Sequence, residues 1–331
     1  MHKRRIGQFE VAPIGLGCMN LSHAYGQPPS RENAAALLRQ ALDSGVDFFD
    51  TAALYGFGAN ESLLGEVLAP YRQRFVLASK CGMAGVDGKR VIDGRPETIK
   101  ATCEAALQRL RTEVIDLYYL HRRDFNVPIA DSVGALADLV AAGNIRAIGL
   151  SEVSAETIRQ AHAVHPVSAV QSEYSLWSRE AEIAVIDTCR QIGAAFVAFS
   201  PLARGFLCGE LTDPAAQLQA GDIRLAMPRF SPDNYARNLA LLPEYQAMAG
   251  EVGCSPAQLA LAWILARQPE MVVIPGTRSL AHLEDNLGAG RVVLGADLVA
   301  RLDALINEKT VSGPRYNAAT FKEIDTEQFP A

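Results

Sequence analysis

The chain has 331 residues, 49% of them hydrophobic and 21% charged, which is the balance of a globular protein with a large apolar core. Its 31 basic and 37 acidic residues give a formal net charge of −6, and no Lys/Arg-rich run indicates a nucleic-acid partner or a membrane-surface segment. No apolar run reaches the roughly 20 residues that span a bilayer, no secretory signal opens the chain, and the scattered cysteines are typical of reduced thiols, so we expect a cytoplasmic protein.

Short apolar runs alternate with amphipathic segments along the chain. An opening segment, Arg5–Val11, predicts a short hairpin at the bottom of the fold. Buried strands are then predicted at Ile14–Cys18, Val46–Asp50, Phe75–Ser79, Ile115–Leu120, Ala147–Ser151, Ala169–Glu173, Ala195–Ser200 and Val272–Pro275. Their nearly continuous apolar composition is typical of parallel strands covered on both faces. Eight strand–helix units in succession predict an α/β fold, the closed (β/α)₈ barrel.

Helix-like segments lie between these strands, with apolar residues recurring three and four positions apart. Ser30, Ser154 and Ser255 each precede such a segment and can accept hydrogen bonds from the first backbone N–H groups of a helix. Pro96 opens another segment, at the first-turn position where proline is tolerated. The sequence therefore marks where several of the predicted helices begin.

Two segments lack this alternation. The stretch from Ala203 to Gly253, between strands seven and eight, is predicted to be a long irregular insertion, and loops of that length usually carry function. The final segment, Val311–Ala331, lacks helical periodicity and is predicted to be extended coil. No composition shift or linker divides the chain, so residues 1–331 are expected to form a single domain.

Ionisable side chains stand at the predicted carboxyl ends of three successive strands. Asp50 ends the second strand, Lys80 follows the third and His121 follows the fourth, while Tyr55 lies on the loop after Asp50. Barrel enzymes place catalytic groups at this rim, so the four side chains are predicted to meet there. Alone, each has a structural alternative, such as a turn cap, an ion pair or a surface loop residue. Their placement on adjacent strands favours a catalytic site.

This set of residues suits proton transfer to a carbonyl oxygen. A tyrosine hydroxyl titrates near a pH of about 10 and is a poor acid at neutral pH. The ammonium of Lys80 is expected to lower the pKa of Tyr55, and Asp50 would keep that ammonium charged and oriented. His121 can polarise a carbonyl oxygen. Together they provide a proton for an oxygen that becomes negative as hydride arrives at its carbon.

Further polar and aromatic residues at the later strand ends indicate a bound cofactor. Ser151 and Gln171 end strands five and six and can hydrogen-bond an amide such as the nicotinamide carboxamide. Phe199, near the end of strand seven, can stack on the nicotinamide ring. After strand seven, Arg204 and Gly205 are predicted to contact a pyrophosphate.

A phosphate site is predicted after strand eight. The sequence IPGTRSLAHLEDNLGA contains a Gly-Thr-Arg-Ser turn that opens a helix at about Leu280. Backbone N–H groups at a helix start attract phosphate, and Arg278 adds a matching charge. Barrels commonly hold phosphate at this position.

Two other motifs have competing interpretations. GLGCMN, at Gly15–Asn20, begins like a dinucleotide-binding fingerprint, but its third glycine is replaced by Asn20 and the next helix starts some ten residues later. His162 and His165 lie three apart on one predicted helix, yet the sequence suggests no third ligand, so we expect no metal site.

Taken together, these motifs resemble the aldo-keto reductase family over nearly the whole chain. The resemblance extends from IGLGCM to LEDNLGA and includes DTAALYG, HRRD, GLSE, EYSLW and SPLARGFL, in that order. It is closest to a branch of bacterial and plant enzymes. The resemblance implies that Tyr55 is the general acid, that Lys80 and Asp50 tune it, and that His121 orients the substrate carbonyl. It also implies NADPH as cofactor, bound without metal, and reduction of aldehydes or ketones.

By the same resemblance, a larger set of residues is expected to bind the cofactor. Ser151 and Gln171 would bind the carboxamide, Asp50 would lie near the nicotinamide ribose, and Arg278 would replace the family's arginine at His282 as the contact to the 2′-phosphate. The full predicted set is Gly17, Met19, Asp50, Ser151, Gln171, Phe199, Ser200, Leu202, Arg204, Gly205, Gly276, Thr277, Arg278, His282, Asp285 and Asn286.

The sequence departs from the family pattern at two further positions. Glu152 stands where many members carry an asparagine beside Ser151, and Phe199 replaces the usual stacking tyrosine, keeping the ring and losing its hydroxyl.

The substrate pocket is predicted less directly, from loop residues. Tyr25, Leu54, Phe57, Arg122 and Trp177 are expected to line it, and their aromatic and apolar side chains favour an apolar or aromatic carbonyl over a free sugar. A different class of function stays open at this point. Potassium-channel beta subunits resemble this family and bind cofactor, so a regulatory subunit with little turnover is the alternative to an enzyme.

Overall fold

The strands form one parallel sheet and two short hairpins in a computed structural model that describes residues 2–22, 24–86 (without the side chain of Val86) and 89–330. The hairpins are β1 (Arg4–Ile6) with β2 (Phe9–Val11), and β6 (Met83–Val86) with β7 (Lys89–Ile92). The parallel strands are β3 (Leu16–Gly17), β4 (Phe48–Asp50), β5 (Val76–Cys81), β8 (Ile115–Leu120), β9 (Ile145–Ser151), β10 (Val167–Glu173), β11 (Ala195–Phe199) and β12 (Met271–Val273).

The parallel sheet closes on itself. Its strands neighbour one another in chain order from β3 to β12. A parallel bridge between Ile14 and Val273 then joins the first strand region to the last, supported by a hydrogen bond of 2.9 Å from Gly15 N to Val273 O. The predicted (β/α)₈ barrel is therefore confirmed, with every predicted strand present.

The first hairpin, β1–β2, lies across the amino-terminal end of the barrel. Ile6 and Val11 are fully buried and pack in one cluster with the inward-facing side chains of the strands. Arg4 fixes the hairpin by donating to backbone carbonyls of the chain just before and within the last strand, Gln268 O at 2.6 Å and Met271 O at 2.7 Å. The bottom of the barrel is closed by this element, as the sequence predicted, so ligands have access from the opposite end.

Helices surround the barrel. They are α1 (Arg31–Asp43), α2 (Ala59–Leu68), α3 (Pro96–Leu110), α4 (Ile129–Ala141), α5 (Ala155–Val164), α6 (Val185–Ile192), α7 (Pro214–Gln217), α8 (Pro232–Leu239), α9 (Leu242–Glu251), α10 (Pro256–Arg267), α11 (Leu280–Gly288), α12 (Ala296–Leu305) and α13 (Ala318–Phe321). The predicted caps are in place: Ser30, Ser154 and Ser255 accept hydrogen bonds of 3.0 to 3.2 Å from backbone N–H groups three residues on. None of the helices in the described part of the chain is long and apolar enough to cross a membrane.

Two segments are more regular than the sequence predicted. The insertion between Ala203 and Gly253 contains α8 and α9, whose buried side chains include Tyr235 and Tyr245. Both helices are short and begin near prolines, so their periodicity is hard to recognise in the sequence. The C-terminal segment, predicted as coil, includes the single turn α13. The hairpin β6–β7 was not predicted.

Candidate active site

A deep cleft opens at the carboxyl ends of the parallel strands. Its cavity has a volume of about 820 Å³, which is within the range of cofactor and ligand pockets. Residues from the strand ends, from the insertion after β11 and from the C-terminal segment line it. The strand ends and their loops therefore deliver side chains from distant parts of the chain to one site.

Three of the predicted catalytic residues form one hydrogen-bonded chain. Lys80 Nζ lies 3.2 Å from the hydroxyl of Tyr55, and it also donates to a carboxylate oxygen of Asp50. A third donation, at 2.8 Å, goes to the backbone carbonyl of Thr51. The second oxygen of Asp50 accepts a hydrogen bond of 2.7 Å from Gln171 Nε2. The ammonium is thus surrounded by acceptors, and Asp50 is held from two sides.

His121 completes the group. Its ring centroid lies 5.8 Å from that of Tyr55, with the two ring planes at 84° to each other. Both side chains line the cleft, while Lys80 lies fully buried behind them. The four side chains that the sequence placed at one rim are therefore brought together, with the tyrosine and histidine facing the cavity.

The pKa of Tyr55 departs from the sequence-based expectation. Burial raises this pKa, and the lowering effect of the Lys80 ammonium does not outweigh it. For Lys80, burial lowers the pKa, but the charge of Asp50 and the phenol of Tyr55 raise it further than burial lowers it. The lowering effect predicted for Lys80 is present, but burial outweighs it, so the net shift of the Tyr55 pKa is upward. Tyr55 holds its proton at neutral pH, and Lys80 stays charged.

The loop that carries Tyr55 turns sharply. Gly56, Phe57 and Gly58 all have positive φ angles, of 57°, 52° and 92°, and this conformation is rare for a bulky side chain such as phenylalanine. Asn60 fixes the turn from below: it is fully buried, accepts from Thr51 Oγ1 at 2.6 Å and donates to Cys18 O at 2.9 Å. This positioning residue is not apparent from the sequence, because an asparagine in a first helical turn gives no signal of burial.

All of the predicted cofactor-binding residues line the cleft. At one end, Arg278 is exposed at the turn that precedes α11 and donates to Gln27 O at 2.7 Å. Ser279 caps α11 and accepts from His282 N at 3.4 Å. Asp285 accepts hydrogen bonds from Ser255 and Gln258, at 2.8 and 2.9 Å. A helix start, a nearby guanidinium and glycine-containing turns form a donor set that fits a phosphorylated ligand.

The side chain of Arg204 is already paired within the protein. Its Nη2 atom lies 2.7 Å from Glu173 Oε2 and 3.0 Å from the hydroxyl of Tyr316, and the side chain is almost fully buried. The sequence assigned this residue to the pyrophosphate. The structure places Arg204 at the wall of the cleft, where its guanidinium holds the C-terminal segment against the barrel.

Glu152 has a related role. It is fully buried, has a positive φ of 55° and forms an ion pair with Arg315 of the C-terminal segment. Its Oε1 atom also accepts from Glu173 N at 2.8 Å. The acid that replaces the family's asparagine therefore does not line the cleft. Ser151, its neighbour, does.

The C-terminal segment supplies cleft residues that the sequence analysis did not predict. Those lining the cleft are Tyr316, Asn317, Thr320 and Glu323, and Glu323 pairs with Arg90 of β7. No sequence signal marks them, because they follow no strand and their segment is irregular.

Two of the five predicted substrate residues do not line the cleft. Trp177 is buried behind it, where its ring lies 4.0 Å, centroid to centroid, from that of Phe206. Phe57 lies over the hairpin: a Cβ atom at Gly85 would approach its ring to 1.8 Å. Both side chains pack against other residues outside the cleft. Their positions depend on loop conformations that cannot be predicted from the sequence. Tyr25, Leu54 and Arg122 line the cleft as predicted.

Within residues 2–22, 24–86 and 89–330, no group of three or more His, Cys, Asp or Glu side chains is placed to hold a metal ion. His162 accepts a hydrogen bond of 3.2 Å from Val167 N, and the half-buried His165 has its Nδ1 atom 3.0 Å from Pro166 O.

Comparisons with known proteins agree with this geometry. A sequence model described as "Aldo/keto reductase family" matches residues 13–307. A protein from Glycine max named "Probable aldo-keto reductase 1" is 40% identical over 311 residues, covering 93% of this chain and 89% of its own. A glycerol dehydrogenase structure from Gluconobacter oxydans matches with a TM-score of 0.85 and 27% identity, covering 99% of both chains. An aldo/keto reductase from Klebsiella pneumoniae, solved with NADP and acetate, matches with a TM-score of 0.72 and 27% identity, covering 98% and 99%.

Proposed function

This chain belongs to the aldo/keto reductase family, and we propose that it reduces aldehydes and ketones to alcohols with NADPH, reversibly, with Tyr55 as the proton donor. The observation that carries the proposal is the hydrogen-bonded chain from Asp50 through Lys80 to Tyr55, which ends at the wall of the cleft beside His121. Such a chain has a direct use in carbonyl reduction, where an oxygen gains negative charge and needs a proton.

The cofactor assignment has two supports. The relative from Klebsiella pneumoniae was solved with NADP. In this chain, the exposed Arg278 forms no ion pair with any described residue and lies at the start of α11, where backbone N–H groups favour phosphate. We propose that Arg278 binds the 2′-phosphate, that Ser151 and Gln171 bind the carboxamide, and that Phe199 stacks on the nicotinamide. When bound, NADPH supplies the hydride.

The chain's own residues then manage the proton. His121 and Tyr55 hold the carbonyl oxygen from two sides, so that it lies near the phenol proton. As the oxygen becomes an alkoxide, the Tyr55 hydroxyl donates its proton. The phenolate that remains is stabilised by the Lys80 ammonium, 3.2 Å from the phenol oxygen, and Asp50 keeps this ammonium charged and in place.

The protonation states support this direction of transfer. Because burial raises the pKa of Tyr55, its hydroxyl is present as the acid at neutral pH. Because the pKa of Lys80 is also raised despite burial, the ammonium is present to stabilise the phenolate. Oxidation of an alcohol needs the opposite starting form, the phenolate, and is therefore favoured as pH rises.

We also propose that residues 1–331 work as one domain in the cytoplasm. The six cysteines are all free thiols, which supports a reducing compartment. The acidic net charge of −6 supports a small-molecule substrate and no nucleic-acid partner.

The test removes the proton donor and keeps its ring. We expect Tyr55→Phe to lower kcat for an aromatic aldehyde by roughly 10²- to 10⁴-fold, while NADPH still quenches protein fluorescence with little change in Kd. Tyr71→Phe, at an exposed tyrosine outside the cleft, is the matched control and should keep full activity. Full activity in Tyr55→Phe would refute the assignment. A wild-type protein that binds NADPH but turns over no carbonyl would favour the regulatory alternative.

A further inference from the structure

The positive charges that line the cleft differ in whether a carboxylate neutralises them. Three of the arginines there have acidic partners: Arg90 with Glu323, Arg204 with Glu173 and Arg224 with Asp222. Arg122 and Arg278 have none among the residues that the structure describes. Arg278 lies at the end of the cleft proposed for the cofactor phosphate. Arg122 lies near the proposed proton donor, directly after His121 in the chain, and is one of the predicted substrate residues that line the cleft.

The hydrogen bonds of Arg122 leave one edge of its guanidinium available. Its Nη1 atom donates to His121 O at 2.5 Å and to Ser151 Oγ at 3.2 Å. Both contacts use the same terminal nitrogen. The Nε and Nη2 atoms donate no hydrogen bond to any residue in the described ranges. These two atoms carry parallel N–H groups, the edge that binds a carboxylate through two hydrogen bonds.

Arg122 lies close to the residue that is proposed to donate the proton, Tyr55. Arg122 is partly buried in the cleft wall, and its charge lowers the pKa of Tyr55, so it lies within electrostatic range of the phenol. A partly buried cation without a counter-charge gains most from an anionic ligand. The same wall includes an apolar cluster of Leu54, Tyr55 and Met83 that can contact the body of a substrate.

We propose that Arg122 selects carbonyl substrates that carry a carboxylate near the reacting carbonyl, and binds this carboxylate through its Nε and Nη2 atoms. The proposal rests on the proposed reductase function and names its substrate class. It also revises the sequence-based preference for an apolar or aromatic carbonyl over a free sugar, since two of the aromatic residues behind that preference, Phe57 and Trp177, do not line the cleft. Arg122 would also offset repulsion between the carboxylate and the alkoxide formed beside it.

The experiment compares matched substrates that differ only in charge. The first pair is phenylglyoxylate and phenylglyoxylamide, and the second is pyruvate and pyruvamide. We expect the wild-type kcat/KM for the carboxylate to exceed that for the amide by roughly tenfold or more in at least one pair. In Arg122→Leu, kcat/KM for that carboxylate should fall roughly 30- to 100-fold, and that for its amide by less than about threefold.

Three controls separate the possible causes. Arg39→Leu removes one positive charge from the exposed face of α1 and should leave the preference unchanged. Arg122→Lys keeps the charge without the two parallel donors, so it should restore only part of the preference and serves if Arg122→Leu does not fold. NADPH titration by fluorescence should give Kd values for wild type and Arg122→Leu that differ by less than about threefold, because the variant loses only the contact to Ser151.

The outcomes distinguish this proposal from the proposed function. If the wild type reduces the amides as well as or better than the carboxylates in both pairs, the substrate class is wrong while the reductase function stands. If Arg122→Leu lowers kcat/KM equally for acid and amide, or weakens NADPH binding, Arg122 acts on proton transfer or on the cofactor and the proposal is overturned. If no carbonyl is reduced at all, the reductase function itself fails.

Discussion

Glu173 and Arg204 form a buried ion pair in which Arg204 Nη2 lies 2.7 Å from Glu173 Oε2. The pair joins the end of β10 to the insertion that follows β11. The hydroxyl of Tyr316 donates to the same Glu173 oxygen at 3.0 Å, so the C-terminal segment is attached at this point as well. One carboxylate therefore connects three parts of the chain that surround the cleft.

Glu173→Gln should destabilise the protein in a pH-dependent way. Burial raises the pKa of Glu173, but the charges of Arg204 and Arg315 outweigh burial and hold this pKa at about 2, against 4.5 ordinarily. A lowered folded-state pKa stabilises the protein above the ordinary value, and the stabilisation is lost as pH falls toward about 2. At pH 7 we expect a loss of about 3–5 kcal/mol in the free energy of unfolding, because Arg204 is left buried and unpaired.

Urea unfolding of wild type and variant between neutral pH and about pH 3 measures this effect. The difference between them should shrink steadily below about pH 4.5. Glu251→Gln is the control, because Glu251 pairs with Arg301 on the exposed surface and its loss should matter little. A difference that stays constant with pH, or is no larger than in the control, would contradict the role given to this pair.

Tyr55 should titrate above its ordinary value in the cofactor-free protein. Burial raises its pKa above 10.0 despite the Lys80 ammonium. The protonated form, which reduction needs, should thus persist throughout the neutral and mildly alkaline range. The absorbance of tyrosinate, recorded as the difference between wild type and Tyr55→Phe, should show no ionisation of Tyr55 up to about pH 9.5. An ionisation near neutral pH that disappears in Tyr55→Phe would restore the sequence-based expectation of an acidic tyrosine.

This residue shows what sequence could and could not predict about the site. Asp50, Lys80 and His121 were placed correctly because the ends of buried parallel strands can be located from their apolar runs, and such ends meet at one rim. The pKa of Tyr55 could not be predicted, since it depends on a balance between desolvation and charge. That balance is set by the depth of the loop over the cleft, which only the folded loop defines.

The C-terminal segment shows the same limit at larger scale. Glu152 and Arg315 are 163 positions apart in the chain and form a buried ion pair. Neither residue is marked by a strand end or a motif that indicates the partner. The barrel, its caps and its first hairpin follow local patterns and were predicted. The contacts that close the cleft depend on packing between distant irregular segments. These contacts were not predicted from the sequence.

Arg278→Ala should weaken NADPH binding and leave NADH binding nearly unchanged. The two cofactors differ only in the 2′-phosphate, so NADH serves as the internal control. We expect the Kd for NADPH to rise roughly 10- to 100-fold, the usual range for loss of a charge-assisted contact, and that for NADH to change less than about threefold. Fluorescence titration gives both values. Equal weakening of both would indicate that Arg278 acts through its hydrogen bonds to Tyr25 O and Gln27 O, by ordering that loop.

Gly149→Ala should destabilise the barrel, because the added methyl group collides with a buried ring. Gly149 lies within β9, and a Cβ atom there would approach Tyr119 Cδ1 to 2.3 Å. The ring of Tyr119 is fully buried among inward-facing side chains, so it cannot move aside without disturbing the core. Overpacking of this kind costs about 1–3 kcal/mol.

The matched control for this substitution is Gly134→Ala, within α4. A Cβ atom at Gly134 meets nothing within 4 Å, so the added methyl group carries no steric cost. Alanine is also favoured over glycine in a helix by up to about 1 kcal/mol. The same chemical change should therefore lower the free energy of unfolding at residue 149 and raise it at residue 134. Denaturant unfolding of both variants measures these two opposite changes. A Gly149→Ala variant as stable as wild type would contradict the predicted clash between the new methyl group and Tyr119.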